Sequence, residues 1–163
     1  MKALGISERN GLARYESLQM YYSIAGRDLE REVVPLAKDQ NLAILPWSPL
    51  AGGFLSGKYV RNQPPPAGVR LEKWKERLAD FDSERSWRTL DAVNAVAREK
   101  ETTAAAVSLA WLLAKPTVSS VIFGARSVEQ LDDNLAATTV KLTAEELSRL
   151  DKVSVLPPEY PGW

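Results

Sequence analysis

The sequence predicts an α/β fold built from parallel strands that are joined by helices. Three segments have the apolar or alternating character of strands, at 15–24, 42–47 and about 119–123, and helical patterns separate them. Strands that alternate with helices favour parallel pairing through helical crossovers. A complete (β/α)8 barrel takes about 250 residues, whereas this chain has 163. It is therefore either a small three-stranded sheet or part of something larger.

The composition excludes several kinds of chemistry. The chain has no cysteine and no histidine, which excludes disulfides, zinc thiolate sites, cysteine nucleophiles and Ser-His-Asp triads. Lys and Arg together number 21, as do Asp and Glu, so the net charge gives no general attraction to nucleic acid or to an anionic membrane. No run approaches the roughly 20 apolar residues of a membrane span. We expect a cytoplasmic protein without a metal site.

The first elements alternate between helix and strand. Residues 1–14 give a helical pattern that ends near Asn10. The segment YESLQMYYSI, at 15–24, alternates and is rich in aromatic residues, which is typical of a strand. A second helical pattern follows and ends near Asn41, and within it we expect Pro35 to introduce a kink or to start a second segment.

The segment LAILPW, at 42–47, is a continuous apolar run of the kind found in buried parallel sheets. Residues 48–70 then form the longest irregular stretch, in which three consecutive prolines exclude regular structure. A loop of this length inside a compact domain is usually functional or mobile. We interpret it as a loop within a single domain, 1–163, rather than as a linker.

Helical patterns fill most of the second half, at about 71–79, 84–100 and 102–115. In the second of these, one face is formed by Trp87, Leu90, Val93 and Ala97. The third is apolar on nearly all sides and should be buried. Capping motifs at Ser127 and Thr143 open two further helices, and 154–163 forms an irregular tail. The first of the two should present one apolar face, formed by Val128, Leu131 and Leu135.

The segment FGARSVEQLDDN, at 123–134, is a candidate anion site. A predicted strand ends at Gly124, Arg126 follows, and a helix begins at Ser127. The free N–H groups at the helix start suit an anion, and glycine lets a ligand approach the backbone. The guanidinium of Arg126 suits phosphate, and the next helical turns add Gln130, Asp133 and Asn134. The alternative is a capped helix with a solvated arginine, which this motif taken alone favours.

The segment PWSPLAGGFLSGKY, at 46–59, is a second candidate. Trp47 stands at the carboxyl end of a parallel strand, where α/β proteins usually bind ligands. The backbone N–H groups of Ser48, Leu50 and Gly52 can wrap a phosphate. Lys58 can reach the same phosphate. Gln19, on the first strand, can pair with a ligand amide. The alternative is a tight turn with a packed tryptophan, and Gln19 alone is a weak signal.

Together these segments resemble a known family. PWSPLAGGFLSGKY, with VIFGARSVEQLDDNLAATTVKLTAEELSRLDKVS behind it, closely resembles the aldo-keto reductases, in the branch with bacterial general reductases and potassium-channel β subunits. The likeness runs from about Tyr15 to Val153. It implies part of a (β/α)8 TIM barrel that binds NADP(H) and reduces carbonyls. The strands at 15–24, 42–47 and 119–123 would be strands six, seven and eight.

The resemblance also implies a role for each candidate residue. Gln19 would hold the nicotinamide carboxamide, and the ring of Trp47 would lie against the nicotinamide. Lys58 would lie beside the pyrophosphate, with Arg70 as a further phosphate contact. The pyrophosphate itself would be lined by Ser48, Pro49, Leu50, Ala51 and Gly52. The adenosine and its 2′-phosphate would be held by Gly124, Arg126, Gln130, Asp133 and Asn134.

The family's catalytic Asp, Tyr, Lys and His belong to the first half of the barrel, to which nothing in this chain corresponds. The tyrosines here do not occupy the family's acid motif, and the carbonyl reaction needs a tuned proton donor. We therefore predict no catalytic residue and expect no reduction by the chain alone. Met1 falls where the family has a mid-chain helix, so we expect a fragment, a split gene or a mis-assigned start.

Three functions follow as expectations. The first is the cofactor-binding portion of an NADP-dependent reductase, completed by a missing half that brings the small-molecule carbonyl site. The second is a non-catalytic NADP-binding or interaction module, because unpaired barrel edges invite pairing with other chains or with a second copy. The third is an α/β scaffold that uses none of these sites.

Overall fold

The structure, a computed structural model, describes residues 1–73 and 79–159. Two strands, β1 (Ser17–Tyr21) and β2 (Ala43–Trp47), lie among helices and short 3-10 turns. The helices are α1 (Lys2–Arg9), α2 (Val33–Asp39), α3 (Arg70–Lys73), α4 (Glu84–Glu99), α5 (Ala104–Leu113), α6 (Val128–Leu135) and α7 (Ala144–Ser154). The 3-10 turns are Asp28–Glu30, Ala51–Ser56 and Ala136–Thr138. In the described part of the chain, no helix combines the length and the apolar character needed to cross a membrane.

The two strands pair in parallel, which confirms the predicted α/β class. The register runs from Ser17 opposite Ala43 to Tyr21 opposite Trp47. The chain between them contains a 3-10 turn and α2, with Pro35 in the first turn of α2, where a proline costs no helical hydrogen bond. The expectation that Pro35 starts a second helical segment is therefore confirmed.

The predicted third strand at 119–123 is wrong in extent. Val118 forms a single parallel bridge with Ile44, whose N–H donates to the Thr117 carbonyl at 2.7 Å and whose carbonyl accepts from the Ser119 N–H at 3.2 Å. The next donor on that edge of β2 would be Pro46, which has no N–H. The next bond, from the Ile122 N–H to the Pro46 carbonyl at 2.9 Å, is one residue out of step. The segment thus runs beside β2 without a regular ladder.

The sheet has one covered face and one open face. Ile44 and Pro46 are buried, and Leu18 and Met20 pack against the core from the same face. The other face, which we call the open face, is half-buried or exposed and carries Ser17, Gln19, Tyr21, Ala43, Leu45 and Trp47. Side chains alternate across a strand, so these two sets are separated by the pleat.

The helical core confirms two sequence predictions. In α4, the predicted face of Trp87, Leu90, Val93 and Ala97 is buried. In α5, every residue from Ala104 to Leu112 is buried, as the apolar character on all sides predicted. The capping box at Thr143 is also confirmed, since its side chain and that of Glu146 exchange hydrogen bonds with the two backbone N–H groups.

Helix α6 carries the apolar stripe that its spacing predicted, but the stripe is exposed. Its expected apolar face lies in solvent within the described structure, with Val128 74%, Leu131 40% and Leu135 48% exposed. Asn134 is the buried residue of this helix. The helix packs toward α5 through the side that carries Asn134 and through the turn that follows it, where Ala137 is buried. Spacing identified an apolar stripe correctly, but spacing alone did not show whether another element covers it.

The loop at 48–70 is more ordered than expected. It contains the 3-10 segment Ala51–Ser56, which is interrupted by two left-handed glycines, and Arg70 already belongs to α3. The predicted helix at 71–79 is formed as far as Lys73, and 74–78 lies outside the described residues. The predicted tail begins after Ser154, and 160–163 also lies outside the description.

Candidate functional site

The carboxyl ends of β1 and β2 meet at an aromatic pair on the open face. Tyr21 and Trp47 end the two strands opposite each other, and their ring centroids are 5.3 Å apart at an interplanar angle of 45°. Trp47 remains 43% exposed. Ligands of α/β proteins bind at the carboxyl ends of parallel strands, so this flat, accessible indole marks the candidate site.

Gln19 lies on the same face, two residues before Tyr21 along β1. It stands opposite Leu45 in the register, and its side chain is exposed. The pleat therefore brings the amide of Gln19 and the indole of Trp47 to one surface of the sheet. An amide and an aromatic ring on one surface are suited to a planar, hydrogen-bonding ligand.

The loop after β2 carries strained backbone. Ser48 and Ala51 have φ of 52° and 51°, and Gly52 and Gly53 have φ of 67° and 101°. A residue with a β-carbon held in this left-handed region costs on the order of 1–3 kcal/mol, and such strain clusters at functional sites. The loop is also tightly closed, because the Ala51 N–H donates to the Ser48 carbonyl at 2.9 Å.

Closure of the loop limits which of its groups face a ligand. The Gly52 N–H donates to Ser48 Oγ at 3.3 Å, so one of the N–H groups suggested for phosphate has a partner inside the loop. Pro49 and Ala51 are buried, whereas Ser48 and Leu50 are partly exposed. A β-carbon at Gly52 would lie 3.1 Å from Leu71 Cδ2, so the loop packs directly on α3.

The two predicted cations after this loop differ in what the structure describes. Lys58 is exposed and follows Gly57, whose φ of 79° turns the chain. Arg70 is the first residue of α3, and its side chain lies outside the description. The structure thus leaves Lys58 in solvent.

Arg126 links the candidate segment at 123–134 to the long loop. Its Nη2 atom donates to the Gly68 carbonyl at 3.4 Å, and its backbone N–H donates to the Gln130 side-chain oxygen at 3.0 Å. The Ser127 hydroxyl accepts from the Gln130 N–H at 3.2 Å, so the predicted helix cap is present. Gly124 and Arg126 are exposed.

The remaining predicted residues lie on α6. Gln130, Asp133 and Asn134 share one side of the helix by their spacing, but Asp133 is exposed whereas Asn134 is buried. Gln130 is partly buried and turned back onto the loop by its bond to the Arg126 N–H. The structure therefore brings Arg126 and Gln130 together, while Asp133 and Asn134 differ sharply in accessibility.

Tyr59 is a residue of this region to which sequence reasoning gave no role. Its side chain is 6% exposed, and its hydroxyl makes no hydrogen bond of normal geometry with any described residue. Burial raises its pKa, and the Leu71 backbone N–H and the Arg126 charge offset this in part. The sequence signal was a polar aromatic residue directly after Gly57 and Lys58.

A separate pocket lies at the amino ends of the strands. It encloses about 420 Å3 and is lined by residues that include Glu16, Lys38, Asn41, Thr117 and Ser119. None of the residues predicted for the site lines it. This end of a parallel sheet is not where α/β ligands bind, so the candidate site remains at the carboxyl ends.

The comparison with known families decides the relationship. The model of the aldo/keto reductase family matches residues 1–155. The chain belongs to this family. This match confirms the aldo-keto reductase resemblance of the sequence, and relatives of the chain are named as oxidoreductases or aldo-keto reductases.

Three relatives illustrate the extent of the match. An uncharacterized oxidoreductase of Bacillus subtilis, YrpG, is 34% identical over 100% of this chain and 49% of its own length. The versiconal hemiacetal acetate reductase of Aspergillus parasiticus is 29% identical over 96% of this chain and 45% of its own. An aldo-keto reductase of Babesia bovis is 30% identical over 87% and 51%. The chain thus spans about half the length of these curated relatives.

Proposed function

We propose that this chain is the cofactor-binding portion of an NADP-dependent aldo-keto reductase whose whole acts on aldehydes or ketones in the cytoplasm. Its β1, β2 and the segment at 119–123 would be strands six to eight of a (β/α)8 barrel, with the open face of the sheet as part of the barrel interior. Family membership and the parallel β1–β2 pair support this proposal. The observation that carries it is the exposed Trp47 ring followed directly by the strained loop.

The residues present suit a dinucleotide. Trp47 and Gln19 offer a flat ring and an amide on one surface, which fits a nicotinamide and its carboxamide. The loop from Ser48 to Gly52 would hold the pyrophosphate, with Lys58 and Arg70 as its cations. The 2′-phosphate and adenosine would contact Gly124, Arg126, Gln130, Asp133 and Asn134. Bound there, NADPH would supply hydride to the carbonyl.

The described residues contain no group that we assign as the proton donor. Tyr21 is the tyrosine beside Trp47, but burial raises its pKa, with the hydrogen bond to Ser23 as a smaller opposing effect. A donor that works near neutral pH needs a pKa moved toward that pH. We therefore propose no catalytic residue in this chain, and catalysis would need the other half of the barrel.

Titration of NADPH tests the proposal. The chain is titrated alone and after mixing with the remaining half of the Bacillus subtilis relative, and nucleotide fluorescence reports binding. Arg126→Ala should weaken NADPH binding by roughly 1.5–3 kcal/mol, because it removes a charged hydrogen bond, and should spare NADH, which lacks the 2′-phosphate. Equal losses for both nucleotides would remove that role from Arg126. Absence of NADPH binding, both by the chain alone and by the chain with the remaining half, would refute the cofactor site.

An interaction module is the second candidate. The exposed apolar residues Val128, Leu131 and Leu135 on α6 favour it, because contiguous exposed apolar surface marks interaction sites. In that case the chain would bind NADP without catalysis, or pair with a second copy or another chain through its open sheet. Light scattering that gives a compact monomer at all concentrations would count against it.

A further inference from the structure

The Tyr59 hydroxyl is a buried polar group that lacks a partner among the described residues. Its ring is held in place by aromatic neighbours, with the Phe54 centroid 5.9 Å away. Phe54 in turn contacts Phe81 and Trp87 at 5.6 Å and 5.1 Å. The ring is therefore fixed by packing, and the orientation of its oxygen is fixed with it. Burying a hydroxyl without a hydrogen bond is unfavourable, and such a group calls for a partner.

The oxygen lies under the strained loop of the candidate site. A β-carbon at Gly53 would be 4.0 Å from Tyr59 Oη. The hydroxyl therefore lies beside this glycine of the loop. The Arg126 charge acts on the same hydroxyl, as does the Leu71 backbone N–H. A hydroxyl donor thus lies beside the glycine backbone of this loop, and both groups suit an anionic oxygen.

The hydrogen bond between Arg126 and Gly68 is weak enough for a ligand to replace it. The Arg126 guanidinium donates to the Gly68 carbonyl at a long 3.4 Å, in solvent. A bond of that length and exposure is weak, and a phosphate is a stronger acceptor for a guanidinium than a carbonyl. A bound 2′-phosphate can therefore draw Arg126 away from Gly68.

We propose that Tyr59 is a further ligand-binding residue, whose hydroxyl donates a hydrogen bond to a pyrophosphate oxygen of the dinucleotide. This inference rests on the proposed function. The pyrophosphate is the part of the ligand assigned to the loop that contains Gly52 and Gly53, which lies against Tyr59 Oη. Since both NADPH and NADH carry a pyrophosphate, Tyr59 acts on both, whereas Arg126 acts on NADPH through its 2′-phosphate.

The test compares Tyr59→Phe with Tyr22→Phe in the 163-residue chain. Tyr22 is the matched control, because its hydroxyl donates to Glu30 Oε1 at 2.5 Å. Melting temperature without nucleotide, and the Kd of NADPH and of NADH, are measured with and without the remaining half of the Bacillus subtilis relative. Tyr59→Phe should leave the melting temperature unchanged or raise it, and should weaken both nucleotides about tenfold, the value of a charge-assisted hydrogen bond. Tyr22→Phe should lower the melting temperature and leave both Kd values unchanged.

Each other outcome overturns the inference in a distinguishable way. If Tyr59→Phe lowers the melting temperature and leaves both Kd values unchanged, the hydroxyl has a structural partner and no ligand. If it weakens NADPH alone, the partner is not the pyrophosphate. If the unaltered chain binds neither nucleotide, with or without the remaining half, the proposed function fails and this inference fails with it.

Discussion

Arg27 Nη1 donates a 2.7 Å hydrogen bond to Ser154 Oγ, which joins two residues 127 positions apart. The same guanidinium binds both carboxylate oxygens of Glu30, at 2.9 Å and 2.8 Å, and donates to the Asp151 carbonyl at 3.1 Å. Its side chain is only 9% exposed. One buried cation therefore joins the segment after β1 to the last helical turn of α7.

Replacing Arg27 should strongly destabilise the chain. Arg27→Met leaves Glu30 partly buried without its cation, and breaking a buried pair from one side costs about 3–5 kcal/mol. Urea denaturation measures the free energy of unfolding. Arg61→Met is the control, because Arg61 and Glu84 form an exposed pair, which is worth about 0–1 kcal/mol. Equal losses for the two variants would contradict the central role of Arg27.

Gly57 should resist substitution for two separable reasons. Its φ of 79° strains any residue with a β-carbon, and that carbon would lie 3.1 Å from Asn94 Oδ1 and 3.2 Å from Ala104 Cβ. Gly11 has a φ of 62° but nothing within 4 Å. Gly11→Ala should therefore cost about 1–2 kcal/mol from backbone strain alone, and Gly57→Ala should cost more.

Gly5 completes this comparison. It lies inside α1 with nothing within 4 Å of a β-carbon, so Gly5→Ala should stabilise the chain by about 1 kcal/mol through helix propensity. Thermal denaturation of the three alanine variants gives the order. A Gly57→Ala variant as stable as Gly11→Ala would show that the neighbours of Gly57 yield without cost.

The capping box of α7 should make stability depend on acidic pH. Burial raises the pKa of Glu146, but the bond from the Thr143 backbone N–H and the charge of Lys100 outweigh it and hold the pKa below its usual value. Lys100 Nζ lies 3.1 Å from Glu146 Oε1. A carboxyl with a lowered pKa adds stability above its unfolded pKa, and this is lost as pH falls through the folded pKa.

Glu146→Gln tests that sign. At pH 7 the variant should be less stable than the unaltered chain by about 1 kcal/mol, the usual value of a helix cap, and the difference should shrink as the carboxyl is protonated at acid pH. Glu145→Gln, in the same first turn, should show only the smaller dipole effect, about 0.3–1 kcal/mol. A difference for Glu146→Gln that is constant with pH would contradict the assignment.

Sequence reasoning succeeded where a local pattern determines the outcome. The faces of α4 and α5, the caps at Ser127 and Thr143, and the parallel class of the sheet all follow from spacing and side-chain chemistry. Sequence reasoning failed where the outcome depends on how two distant segments pair. Pro46 lies in an apolar run typical of a strand, yet its missing N–H interrupts the ladder to its neighbour, a consequence that appears only once the register is known.

In the candidate site too, some residues could be predicted from the sequence and others could not. Trp47 at a strand end and Arg126 before a capped helix could be predicted, because each follows from its place in a short motif. Tyr59 could not be assigned, since its hydroxyl is distinguished only by the absence of a partner among the described residues, and partners are a property of the fold. Likewise Asn134 is buried while Asp133, its chain neighbour, is exposed.

Val128 and Val93 should respond oppositely to the same substitution. Val128, at the start of α6, is 74% exposed, whereas Val93 in α4 is fully buried. Val128→Ala should change the free energy of unfolding by no more than about 0.5 kcal/mol. Val93→Ala should lower it by about 2 kcal/mol, because two buried methyl groups are replaced by a cavity. Denaturant titration of both variants makes the comparison.

The exposed stripe on α6 should instead govern association. Val128 and Leu131 are 74% and 40% exposed on one helix, and an apolar patch without a covering element promotes contact between molecules. The Val128→Gln and Leu131→Gln double variant should therefore lower the mass measured by light scattering at high concentration, because glutamine keeps the helix propensity of α6 and removes the apolar contact. The double variant leaves the charge of α6 unchanged, and an Asp132→Asn variant on an exposed position of the same helix tests separately whether charge alters association. If the double variant unfolds far more easily than Val128→Ala, the stripe is packed within the monomer; if it is equally stable and less associated, the stripe is the surface through which copies meet.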